Sequence, residues 1–184
     1  MSQAGIQLGR TEQTNEGASA MNSLIEPTID HSLTIAHNHA SIGDVAHGLL
    51  AALRRVRWVV DEVGGHTLVS MLDGAIRDRL IIRHLRNARC GEIEIPASMP
   101  RPGADSAAAE TIMVNAAETC MVYAAEKSDT SDLMLTVFIL LDRLTETLHC
   151  APRYAELMDW LRLGEETMGD IGDAEAVGKP TILH

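Results

Sequence analysis

The stretch from Asp132 to Leu148, Asp-Leu-Met-Leu-Thr-Val-Phe-Ile-Leu-Leu-Asp-Arg-Leu-Thr-Glu-Thr-Leu, constrains the fold of this chain more than any other. Leu133, Val137, Leu140, Leu141, Leu144 and Leu148 recur at three- and four-residue steps, which puts them on one face of a helix. In the first half, Met134, Leu135, Phe138 and Ile139 add apolar groups on the remaining sides, and a helix apolar all round is surrounded by protein. The second half narrows to one stripe, with Asp142, Arg143 and Glu146 outside it. The pattern predicts a central bundle helix, deep at its N-terminal end and half-exposed at its C-terminal end.

Other segments repeat the helical period. Ser41-x-x-Asp44 has the form of a capping box. Behind it Ile42, Ala46, Leu49, Leu53, Val56, Val60 and Val63 step by four and three, a three-heptad seam. Gly64-Gly65 stops this helix, and a second runs from about His66 to Ala88. A linker of two glycines makes the two antiparallel neighbours. Residues 90–104 carry Pro96, Pro100, Pro102, Gly91 and Gly103 and read as a connection across the end of a bundle. A helix over about 105–127 is rich in alanine, which lets helix axes approach closely. Pro152 opens a short last helix that ends at Gly164.

Two segments read differently. Residues 1–27 are polar and aperiodic and predict a mobile arm. Over 28–39, Ile29, His31, Leu33, Ile35, His37 and His39 alternate with polar neighbours, and period two predicts a short strand. The expected organisation is an all-α bundle of four to five helices over 28–164, with a disordered N-terminal arm and a flexible acidic C-terminal tail over 165–184.

Composition bounds the function. The chain has 184 residues, one domain's worth, and a net charge of −11. Residues 54–89 hold eight Arg against four acids, whereas 102–184 hold five Lys or Arg against fifteen acids. An acidic chain is a poor general ligand for nucleic acid, whose affinity rests on phosphate contacts. The longest apolar run, Leu133–Leu141, is far below the roughly 20 residues that span a bilayer, so no membrane partner is expected. Cys90, Cys120 and Cys150 are odd in number and form no CxxC, which fits reduced thiols in the cytoplasm.

Four groupings carry possible chemistry. Asp44-x-x-His47 and Glu146-x-x-His149, with Glu118 on the third helix, have the acid–histidine spacing of helical di-metal carboxylate sites. Their positions off the apolar seams argue against a buried metal, so no cofactor is expected. His31, His37, His39 and His47 would gather imidazoles along a strand without an acid or cysteine to complete a zinc set. Asp129-x-x-Asp132-Leu-Met-Leu is similar to the second half of the acidic motif of all-helical pyrophosphatases of the MazG type. The first half is lacking, since Met121 stands where Glu118 would need an acid, and the segment reads as a helix cap. Last, Arg79, Arg83 and Arg86 form a basic stripe that fits an anionic ligand or partner, whereas Arg57–Asp61 and Asp73–Arg77 have the spacing of internal pairs.

No complete catalytic set appears. The reading is a non-enzymatic, cytoplasmic accessory or regulatory protein of bacterial type, acting through contacts with an unknown protein partner and with itself. The seam of the first helix is the expected homodimer surface. A metal-binding bundle and an anion-binding arginine surface are the alternatives.

Overall fold

The computed structural model describes residues 15–91, 98–127 and 130–163. They form five helices, α1 (Asn15–His39), α2 (Ile42–Arg89), α3 (Ser106–Lys127), α4 (Thr130–Thr147) and α5 (Tyr154–Arg162), and no strand among the described residues. The chain is an all-α bundle. The expected tail over 165–184 lies outside the described residues.

The expected strand over 28–39 is instead the second half of α1, which also takes in 15–27 of the expected arm. The physical reason is that the two periods share residues. Ile25, Ile29 and Ala36 are buried at helical spacing, while Ile35, His31, His37 and His39 face solvent. The bundle supplies a surface for one stripe of a helix, and nothing among the described residues supplies a strand to pair with. Arg143 of α4 fixes α1 in place. Its guanidinium reaches Asp30 at 2.7 and 3.0 Å and Glu26 at 2.9 Å. Asp30 first, then Glu146, holds the Arg143 pKa above its ordinary value against the opposing effect of burial.

α2 is the hub, packing most extensively on α3 and then on α4. The capping box forms as expected: Asp44 N–H donates to Ser41 Oγ (3.2 Å) and Ser41 N–H to Asp44 Oδ2 (3.3 Å). Helical backbone breaks at Gly65, with φ 63° and ψ −174°, a region essentially confined to glycine. There the chain reverses. Arg57 donates to both Asp73 carboxylate oxygens at 3.2 and 3.3 Å, and in an unbroken helix those residues would stand about 24 Å apart. Two antiparallel arms, 42–64 and 66–89, result.

The heptad seam of the first arm is the core of the molecule. Ala46, Leu49, Leu53, Val56 and Val60 are buried, and only Ile42 and Val63 at its ends are exposed. It faces α3, where Ala109, Met113, Ala116, Ala117, Cys120 and Ala124 are buried. The two helices approach closely at Gly48, where an added Cβ would stand 2.7 Å from the Ala109 carbonyl oxygen. The expected homodimer surface is therefore interior.

α4 is also buried, with the gradient reversed from expectation. Leu133, Met134, Leu135 and Phe138 are half-buried, and the buried residues concentrate further on, at Thr136, Val137, Ile139, Leu140, Leu141, Leu144, Thr145 and Thr147. The threonine hydroxyls are compatible with burial because they bond carbonyls of their own helix, Thr136 to Asp132 and Thr145 to Asp142, each at 2.8 Å. The apolar all-round half is the helix start, where fewer neighbours reach it.

Candidate functional site

The acid–histidine pairs are put to local, separate uses. Asp44 is buried at the start of α2 and, besides its capping bonds, accepts Gly103 N–H. The Ser41 hydroxyl, with these backbone donors, holds its carboxyl below the usual range despite burial. His47 Nε2 lies 2.7 Å from the Pro100 carbonyl oxygen. This pair thus ties the connection between α2 and α3 across the end of the hairpin. Glu118 accepts from Arg55 Nε at 2.8 Å, and that guanidinium also lies over the Trp58 ring at 4.7 Å. Glu146 pairs with Arg143 at 3.2 Å. His149, two residues beyond the end of α4, is in left-handed conformation, with φ 55°.

The structure does not bring Asp44, His47, Glu118, Glu146 and His149 together into one group. Among the described residues no three His, Cys, Asp or Glu side chains are grouped to hold a metal ion. His31, His37 and His39 lie along a helix rather than on one strand face. Of the acidic pair Asp129 and Asp132, the first lies outside the described residues and the second is buried in the first turn of α4.

The arginine stripe is where the structure departs most usefully from the sequence reading. Arg79 and Arg83, expected to be unpaired, both reach Asp142 of α4: Arg79 Nη2 at 2.6 Å and Arg83 Nη1 at 3.5 Å. Arg79 also lies 5.8 Å from the centre of the Phe138 ring. Its pKa is raised by the hydrogen bond to Asp142, outweighing partial burial. Arg79, Ile82, Arg83, Arg86, Asn87, Asp142 and Glu146 line a cleft of about 320 Å³ between the second arm of α2 and α4. A neighbouring cleft of about 440 Å³ shares Arg83, Asn87 and Glu146 and adds Thr145, His149 and Cys150. Sequence reasoning found the arginines but missed Asp142 and Asn87. The only signal was that Asp142 lies outside the α4 apolar stripe, which does not say which helix it will face.

A second surface lies on the outer side of the same arm. Val69, Leu72, Ile76 and Leu80 are buried inward, yet Met71, Ile81, Ile82 and Leu85 are 61, 48, 56 and 57% exposed. Met71, Ala75, Asp78, Ile82, Leu85 and Arg89 step by four and three along this outer side. The arm therefore carries two stripes, one spent on the core and one left facing solvent.

Compared with protein-family models, with curated proteins and with solved structures, the chain matches none.

Proposed function

We propose that this protein acts through protein contacts, as a non-enzymatic accessory or regulatory bundle without a cofactor, and that the outer stripe of the second α2 arm joins two copies. The observation that carries the reading is that stripe: isoleucines and leucine on the solvent side of a helix whose other side is already core. Its pattern is self-complementary. A two-fold axis that sets Ile82 against Leu85 of a second, antiparallel copy also sets Asp78 against Arg89, because the two pairs share one midpoint in the sequence. Three free cysteines and the absence, among the described residues, of a helix able to cross a membrane support a cytoplasmic setting.

Magnitudes decide how tight such a dimer is. Ile81, Ile82 and Leu85 keep about half their surface exposed, so docking stabilises by about 1 kcal/mol per side chain. Six side chains and two rim ion pairs then give roughly 6 to 8 kcal/mol, against an association cost of at least about 4. The net of at most about 4 kcal/mol corresponds to a dissociation constant near 1 mM at its tightest. Sedimentation equilibrium of the full chain from about 50 μM to 3 mM tests it, since that range reaches past the estimate and a weaker contact would not join two copies. The apparent mass is expected to rise toward a dimer, and Leu85→Glu to remain monomeric with unchanged helical circular dichroism. A wild type monomeric throughout, or a Leu85→Glu dimer as tight as the parent, overturns the reading. Stoichiometric iron, manganese or zinc in tag-free protein would overturn its cofactor-free part.

A further inference from the structure

We infer that the cleft between the second arm of α2 and α4 binds a phosphoryl dianion, carried by a small molecule that extends into the neighbouring cleft. Arg79, Arg83, Arg86 and Asn87 line one wall. The opposite wall offers two carboxylates, Asp142 and Glu146. Glu146 is drawn toward Arg143 at 3.2 and 3.4 Å, a cation outside this cleft that it shares with Asp30 and Glu26. Three guanidiniums thus face two carboxylates, which leaves one positive charge in excess across the cleft. The excess positive charge is local to this wall, on a chain whose net charge is −11.

The donors suit a phosphoryl group better than a lone carboxylate. Guanidinium is a planar fork that pairs two oxygens at once, and three forks with an amide match three or four acceptor oxygens. Part of the ordering cost is already met. Asp142 fixes Arg79 through contacts of 2.6 and 3.4 Å, with Phe138 beneath it, and sets Arg83 at 3.5 Å. Asp142 also opposes the incoming charge, which keeps the expected affinity modest.

The adjoining cleft holds the ligand's remainder. His149 adds an imidazole there, beside Thr145 and Cys150, whose hydroxyl and thiol donate to main-chain carbonyls, so a polar body is favoured over an acyl chain. His149 occupies the left-handed position after α4 that glycine ordinarily takes, and it does so at the edge of this cleft.

Titration of tag-free full-length protein with inorganic pyrophosphate and with glycerol 3-phosphate, followed by calorimetry, tests the inference. Saturable one-to-one binding is expected, about tenfold weaker in Arg86→Gln because one fork is lost. It should weaken further when salt is raised to about 300 mM. Arg77→Gln, an equal charge change outside the cleft, is expected to leave binding unchanged. If the second cleft holds the ligand body, His149→Ala weakens glycerol 3-phosphate more than pyrophosphate. No saturation by about 10 mM of either compound overturns the inference. So does an equal loss in Arg77→Gln and Arg86→Gln, which would mean diffuse charge attraction, or an equal effect of His149→Ala on both compounds. None of the three variants alters Ile82 or Leu85, so this outcome is separable from the test of self-association.

Discussion

Replacing Gly65 by alanine isolates one backbone angle pair. At φ 63° and ψ −174° an L-residue costs about 1–3 kcal/mol. No atom lies within 4 Å of where the new Cβ would go, so no packing change offsets or adds to that cost. Gly74→Ala is the matched control. It is the same chemical change on the helical second arm, again with open space around the Cβ, and there alanine gains up to about 1 kcal/mol in helix propensity. One substitution is therefore expected to destabilise and the other to stabilise, with a gap of about 2–4 kcal/mol. In a chain of this length that gap corresponds to about 4–16 °C in melting temperature. Thermal and urea unfolding followed by circular dichroism at the helix band measure both. If Gly65→Ala were as stable as Gly74→Ala, the chain would run through residue 65 as continuous helix. Arg57 and Asp73 could then not meet, and the antiparallel arms on which both candidate surfaces depend would not exist.

Arg143→Met keeps the aliphatic stem but removes the bonds to Asp30, Glu26 and Glu146, leaving three carboxylates without their shared cation. A loss of about 1–3 kcal/mol is expected, with faster hydrogen exchange in α1 while α2 is unchanged; equal acceleration of both helices would count against α1 being held in this way. Burial pushes the Cys120 thiol up to about 11 from 9.0. The folded state favours the neutral thiol, so this contribution is full below pH 9.0 and is lost as pH rises toward about 11. Stability should therefore decline over that window and decline less in Cys120→Ala. At neutral pH a thiol reagent should label exposed Cys90 and reach Cys120 only on unfolding, and rapid labelling of Cys120 in folded protein would refute its burial.

The readable parts of this fold rest on short-range relations. Ser41 and Asp44 cap each other three residues apart, so the start of α2 shows in the sequence. The seam from Ala46 to Val60 is periodic over many turns, which identifies both a helix and its buried side. Gly64-Gly65 marks the reversal because only glycine takes the required angles. Residues 28–39 misled because Ile29 belongs to both periods and no local signal separates them.

Sequence alone determined that this chain is a set of helices, where most begin and end, and which stripe of each is apolar, because those properties are set within a few residues by backbone geometry and periodicity. Only the tertiary structure decided which apolar stripe is core and which is left outside, as the two stripes of the second α2 arm show. It also decided that Asp142 stands under Arg79 and that Asp30 meets Arg143. Those partners lie 63 and 113 residues apart, and a charge carries no mark of the distant helix that packing will bring to it.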